Sequence, residues 1–397
     1  LAQRIEEYVM NSKWTSILLI YLFGLAGTSA LGMMGPLADD IGRAFSVSGA
    51  TVGIAIAGQL LPLAFAGIAV GWLVDRIGPR PLLGIGVLCI AACSLTNGLL
   101  SSFGLLRVSL LLEGIALVAV LTAGQVLLMI ATEGRRQVQA LTLWSTVTPV
   151  GYALGLLLVS PFAGSEGWQT GFLLHAAALL VLAFTVVVLP GVRLRMAAGN
   201  SLGVLRNGRV LRFGLGLSMS ALAGIGTSAV GALYLHQVHG VDLARSAQMM
   251  ALASLAGVAG SFLAGLLLTR GWPGRRIALL VVVTALAGGV AFYVPWGSIA
   301  LAWSGAVLQQ IAVGGFIALT YALLPRALPD PGMAGTAAGM VGQITGIGAT
   351  LSAPIFFSAL AMGQWSYFLI ILLVAWGSSL LLLPVWSRVT GVSQQPV

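Results

Sequence analysis

Apolar residues along this chain come in unbroken runs of about twenty, longer than a buried strand or the stripe of a surface helix requires. A helix needs roughly 20 such residues to cross about 30 Å of hydrocarbon. Marking runs of that length between polar breaks predicts twelve spans, near 14–37, 49–73, 81–101, 104–131, 140–161, 168–190, 213–235, 246–269, 277–296, 298–324, 333–360 and 365–387. The ninth and tenth are parted only by Pro295–Trp296–Gly297, and the last two by Gly363–Gln364–Trp365, so tight turns are expected there. The pattern predicts an all-α membrane protein of twelve transmembrane helices.

Composition agrees. With 58% hydrophobic and 7% charged residues and a mean hydropathy of +1.02, 397 residues cannot clothe a water-soluble globule. Glycine, 53 residues, fits close packing between helices in lipid. Cys89 and Cys93 lie four apart on an apolar run with no His or carboxylate to complete a metal site, and they read as packing residues. No metal or cofactor is expected.

The net charge of +9 takes its meaning from position. If the N-terminus is cytoplasmic, the inner segments hold Arg4, Lys13, Arg76, Arg80, Arg135, Arg136, Arg193, Arg195, Arg206, Arg209, Arg212, Arg270, Arg275, Arg276, Arg326 and Arg388. Arg43 and Arg245 fall outside, and Arg107 lies at the outer mouth of span four. Because positive residues are retained in the cytoplasm, both termini are expected there. The arginines then face anionic lipid of a bacterial-type inner membrane, and no nucleic-acid partner is needed to explain them.

The longest polar interval, Gly191–Arg212, divides the chain six plus six. It predicts an N-terminal bundle over 1–191, a basic cytoplasmic linker over 192–212 and a C-terminal bundle over 213–397. An internal repeat supports the division. Glu113–Gly114–Ile115–Ala116 in span four corresponds to Gln309–Gln310–Ile311–Ala312 in span ten, 196 residues on. Gly71 to Arg80 has a worn copy from Gly265 to Arg276 at an offset of 194, with Thr269 where Asp75 stands. Duplication of a six-helix unit is the simplest cause.

Nine of the ten acidic residues fall in predicted loops or termini, and Glu113 alone lies deep in a span. It sits about nine residues, roughly 14 Å, into the bilayer. An ionisable group at that depth is costly and marks a functional site, here a candidate for proton coupling or substrate contact, with a structural carboxyl as the alternative. Arg107 does not share its face, being about 240° around the helix, but aligns with Gln125 five turns on. Arg107 could snorkel to headgroups or attract an anionic solute. Gln309 and Gln310, at the repeat position of Glu113, are expected to face it as the polar floor of a solute site. Among other uncharged polar residues within spans, Gln59, His175 and Gln343 read as interhelical hydrogen-bond partners.

The charged turn between spans two and three, Gly71–Trp72–Leu73–Val74–Asp75–Arg76–Ile77–Gly78–Pro79–Arg80, resembles the loop after the second helix in the major facilitator superfamily of secondary transporters. Thr148–Pro149 with Gly151 and Gly155 is similar to the Gly-rich, Pro-containing motif of the antiporter branch, with Thr148 where that motif has Gly. The resemblance covers the whole chain. It implies two pseudo-symmetric six-helix bundles that rock about a midplane cavity lined by spans one, four, seven and ten. Glu113, Arg107, Gln125, Gln309, Gln310, Tyr21 and Thr28 are then the candidates for proton and solute. It also implies a latch in which Asp75 meets the start of span eleven near Gly332, Gly71 and Gly78 allow close approach and a sharp turn, and Arg76 and Arg80 pair with acids or carbonyls across the same interface.

The expected function is a secondary active transporter, a monomer moving a small organic solute, with anions among the candidates, by proton-coupled symport. The alternative is a proton-coupled efflux antiporter for an apolar or drug-like compound. One carboxylate at depth offers neither the nucleophile–base pair nor the metal cluster of an intramembrane enzyme.

Overall fold

The computed structural model describes residues 14–99, 102–165, 167–189, 201–328 and 330–384, and among these there are helices and no strands. Span one is α1 (Trp14–Met33), followed by a short α2 (Ala38–Ala44). Span two is a bent pair, α3 (Gly49–Phe65) and α4 (Gly67–Ile77), at 60° to each other. Spans three and four are α5 (Pro79–Leu99) and α6 (Phe103–Ala131), and span five is broken into α7 (Gly134–Trp144) and α8 (Val147–Val159). Span six is α9 (Thr170–Phe184), extended by a 3-10 turn over Thr185–Val188. Spans seven to twelve are α10 (Gly208–His239), α11 (Leu243–Thr269), α12 (Gly274–Tyr293), α13 (Ile299–Leu323), α14 (Ala334–Ala361) and α15 (Trp365–Leu382). Among the described residues, eleven helices are long and apolar enough to cross a membrane, and the bent pair taken as one span makes twelve.

Local chemistry sets several boundaries. Span two bends because Pro62 has no N–H for the carbonyl one turn before it, and the helix restarts at Gly67. Pro149 acts likewise on span five, which breaks at Ser145–Thr146. Span seven starts earlier than its apolar run, because the Asn207 side chain accepts from the N–H groups of Arg209 and Val210. Arg209 and Arg212 are therefore in its first turns, not in a linker, and Ser201–Arg206 forms a 3-10 turn. The stretch expected as a loop from Gly71 to Arg80 is also mostly helical. It continues α4 to Ile77 and turns only at Gly78, whose φ of 92° is open to glycine. The termini and residues 190–200, with Arg4, Lys13, Arg193, Arg195 and Arg388, lie outside the described residues.

Each half has its own apolar core. One is built from spans one to six around Ile20, Phe23, Val87, Ile90, Val120 and Trp144. The other is built from spans seven to twelve around Tyr234, Phe292, Phe316, Phe356 and Trp376. The halves meet closely at the end that carries Gly78, called here the turn side. Gly67 and Gly71 on span two face Gly335 and Gly339 on span eleven, two small-residue steps of four whose backbones touch. A Cβ on Gly71 would fall on the Gly335 carbonyl, and one on Gly339 on the Gly67 carbonyl. By the repeat, Gly265 on span eight packs on Thr142 of span five. Ala334 and Ala338 of span eleven join the N-terminal core.

Span four reports the same asymmetry. Towards the turn side nearly every residue from Ala116 to Met129 is buried, whereas towards the far side Leu105, Arg107, Val108, Leu111, Leu112 and Ile115 are exposed.

Candidate functional site

Glu113 is 2% exposed and lies inside the N-terminal bundle. Gln59 Nε2 of span two donates to its Oε2 at 2.9 Å, and Ser94 Oγ of span three is 3.4 Å from its Oε1. Ser94 Oγ is also 2.8 Å from Nδ1 of His175 on span six. His175 Nε2 in turn lies 2.9 Å from Ser29 Oγ and 3.1 Å from the Ala26 carbonyl, both on span one. Five of the six spans of this half thus converge on one polar chain, and both direct partners of the carboxyl are uncharged. Gly114 makes this possible: a Cβ there would strike the Gln59 carbonyl, so span two comes close enough for Gln59 to reach Glu113.

The expected polar floor does not form. Gln309 is fully buried in the other half and its Nε2 donates to the Ala285 carbonyl of span nine at 2.9 Å, while Gln310 Nε2 donates to Ser228 Oγ of span seven at 2.7 Å. The repeat explains this. Glu113 turns to span three of its half as Gln309 turns to span nine of the other, so duplicated positions point into their own bundles rather than at each other. Gln125 is buried at 6% exposure with its Nε2 unpaired by protein, and Arg107 is exposed on a different face from Glu113.

Tyr21 and Thr28 are engaged elsewhere than in a free solute site. Tyr21 Oη is 2.7 Å from Thr146 Oγ1, and Thr28 Oγ1 donates to the Gly24 and Val147 carbonyls at 2.9 and 3.0 Å. They tie span one to span five at the break between its two helices.

On the turn side, Asp75 is 5% exposed at the interface between the halves. Its Oδ1 accepts from Gly335 N at 2.7 Å, and its Oδ2 accepts from Thr336 N at 2.8 Å and Thr336 Oγ1 at 2.5 Å. Gly335 N and Thr336 N are first-turn N–H groups of α14, which lack helical partners and carry the positive end of the helix dipole. The contact is one turn later than Gly332, because Asp330 already takes the Gly332 N–H at 2.7 Å. The arginines do not reach across the interface. Arg76 stacks on Trp72 at 4.5 Å, and Arg80 donates to the Val186 and Val187 carbonyls at the end of span six, within its own half. In the worn copy, Thr269 bonds the Leu266 carbonyl of its own helix.

Two residues enter that sequence reasoning did not place, and Gln343, read from the sequence as an interhelical hydrogen-bond partner, finds its mate. Thr336 gives Asp75 its third bond, Ser94 links Glu113 to His175, and Gln343 Oε1 of span eleven accepts the Ile68 N–H freed by the bend in span two, at 3.0 Å. For Gln343 a signal existed: Pro62 foretells unpaired N–H groups nearby, and Gln343 is a half-buried amide able to take one.

A family model described as the Major Facilitator Superfamily matches residues 17–353. Solved structures share the fold. FucP in its outward conformation superposes with a TM-score of 0.73 at 15% identity, over 94% of this chain and 99% of that one. The human organic anion transporter MFSD10 gives 0.71 at 17%, over 94% and 99%. The proton:xylose symporter XylE gives 0.71 at 14%, over 95% of each. No curated protein matches the chain by sequence.

Proposed function

The chain belongs to the Major Facilitator Superfamily, and from that premise we propose that this transporter is a proton-coupled symporter of a small organic solute working by alternating access. The observation that carries the reading is Glu113, a buried carboxyl mid-way along span four whose hydrogen-bond partners are neutral. A charge there has no cation bonded to it, and an unpaired charge in such a place is costly. Binding a proton removes that charge, so the protonation of Glu113 and the packing of the helices around it constrain each other. FucP and XylE are described as proton symporters, which accords with this reading.

The turn side is cytoplasmic in this reading, since Arg80, Arg135, Arg136, Arg270, Arg275 and Arg276 gather there. Asp75 on the start of span eleven then latches the cytoplasmic side, with Gly71 and Gly78 giving the backbone its close approach and turn. The solute enters from outside between the halves, and Arg107, exposed on the outer part of span four, favours an anion among the solutes that could enter. Gln310, buried nearer the midplane, is a neutral polar group it would meet.

The test is transport in proteoliposomes carrying the full chain, with a panel of sugars, carboxylates and organic cations under an imposed pH gradient, acid outside. Accumulation of one class, with protons moving inward alongside it, supports the reading. Solute leaving as protons enter would favour the efflux antiporter, and no proton movement with any transported solute would defeat coupling.

A further inference from the structure

The polar chain around Glu113 has fixed ends, and these decide the donors between them. The Ala26 carbonyl can only accept, and Ser29 Oγ donates to it at 2.8 Å, which uses the hydroxyl's one proton. His175 Nε2 therefore faces two acceptors, that carbonyl at 3.1 Å and Ser29 Oγ at 2.9 Å, so Nε2 carries a proton in every arrangement. The variable position is Nδ1, which faces Ser94 Oγ at 2.8 Å.

Ser94 has one proton and two neighbours that could accept it, Nδ1 and Glu113 Oε1. Two arrangements satisfy the chain with the same number of protons. In the first, Glu113 is protonated and donates to Ser94 Oγ, whose hydroxyl donates to a bare Nδ1. In the second, Nδ1 is protonated and donates to Ser94 Oγ, whose hydroxyl donates to a Glu113 carboxylate. Passing from one to the other breaks the O–H bond of Glu113 and forms one on Ser94, while the former Ser94 O–H bond breaks and an N–H bond forms on Nδ1. One proton has then moved from Oε1 to Nδ1, leaving a carboxylate and an imidazolium.

We propose that the coupling proton is held by Glu113, Ser94 and His175 as one unit, with Ser94 as relay and His175 as a second station for the proton. This rests on the reading of Glu113 as the proton site. While the unit holds its proton, a carboxylate at Glu113 is balanced within the half by an imidazolium, and the carboxylate stands uncompensated only once that proton has left. The groups that face Glu113 are Gln59 from span two and Ser94 from span three, with the Cys93 thiol close by; His175 from span six and Ser29 from span one follow through Ser94. Cys93 is the other titratable group among them. Asn97, one turn along span three from Ser94 towards the far side, is 1% exposed and neither of its amide atoms has a protein partner. A buried amide of this kind needs a partner, and it lies on the same face of span three as Ser94.

The experiment uses the full chain in lipid and needs no solute. Infrared difference spectra follow the carbonyl stretch of a protonated carboxylic acid against pH, and the part of that band lost in Glu113→Gln belongs to Glu113. Ser94→Ala and His175→Gln are expected each to shift its titration midpoint by about one pH unit, a tenfold change in proton affinity. The double replacement should shift it no further, since both cut the same chain. Ser94→Thr, which keeps the hydroxyl, should titrate as the unaltered protein. A Glu113 band whose midpoint ignores both single replacements, or shifts that add in the double, would overturn the unit and leave Glu113 as a lone proton site. A band that never differs between the unaltered protein and Glu113→Gln would instead remove the underlying reading.

Discussion

Replacing Asp75 by Asn keeps the size of the side chain and removes its charge. The carboxylate accepts three hydrogen bonds from Gly335 and Thr336, and an amide oxygen in its place can still accept from Gly335 N. The two bonds to Oδ2 would then face an NH2 group, which cannot accept them. Hydrogen bonds to charged groups contribute about 1.5–3 kcal/mol each, and a negative charge at a helix N-terminus roughly 0.3–1 kcal/mol. Because the Asn can rotate and water can reach a parted interface, a net loss of about 3 kcal/mol is the reasonable figure, on the order of a hundredfold in the equilibrium between turn-side-closed and turn-side-open states. The assay is thiol labelling in inside-out vesicles of a chain lacking Cys89 and Cys93, with one cysteine introduced at Ala338, which is buried against the N-terminal core. Asp75→Asn should speed labelling by at least tenfold. Thr336→Val, which loses only the hydroxyl bond, should do so by less. An unchanged rate in Asp75→Asn would refute the claim that this contact holds the two halves together.

Two further outcomes follow from the same interface. Gly71→Val puts a side chain where the Gly335 carbonyl lies, so the turn side should fail to close and the Ala338 cysteine should label rapidly even with Asp75 intact; slow labelling would show that the close approach is dispensable. Gln343→Leu leaves the Ile68 N–H unpaired when the halves are together, at a cost of about 1–3 kcal/mol, and should raise labelling while leaving the thermal stability of each bundle little changed; a large fall in melting temperature with no change in labelling would make Gln343 a purely structural residue.

The helices were legible in the sequence because lipid demands long apolar runs, and that signal does not depend on neighbours. Where a boundary moved, a local polar group had moved it: Asn207 draws the start of span seven back to Gly208, and Pro62 bends span two. Asp75 could be placed at the head of span eleven through the resemblance of its turn to the major facilitator superfamily, with which the affinity of an acid for a free helix end agrees. Its register needed Asp330, which removes Gly332 from competition. Glu113 stood out as an acid in an apolar run, yet its company did not. Whether it meets Gln309 or Ser94 depends on which way span four is turned, and one residue of helix rotates that by about 100°. The repeat held the missing constraint, because a duplicated unit points corresponding positions into corresponding interiors. Arg80 shows the same limit, since a long side chain at a helix end can cap carbonyls in its own half as readily as reach across.

The most direct measurement is solute-dependent proton movement by the unaltered protein and by Glu113→Gln, in proteoliposomes with a pH-sensitive dye inside, set beside solute exchange at equal concentrations on both sides. Proton-coupled symport through Glu113 predicts internal acidification in the unaltered protein when solute is added outside, and none in Glu113→Gln, with exchange retained in both. Acidification that persists in Glu113→Gln would contradict the account.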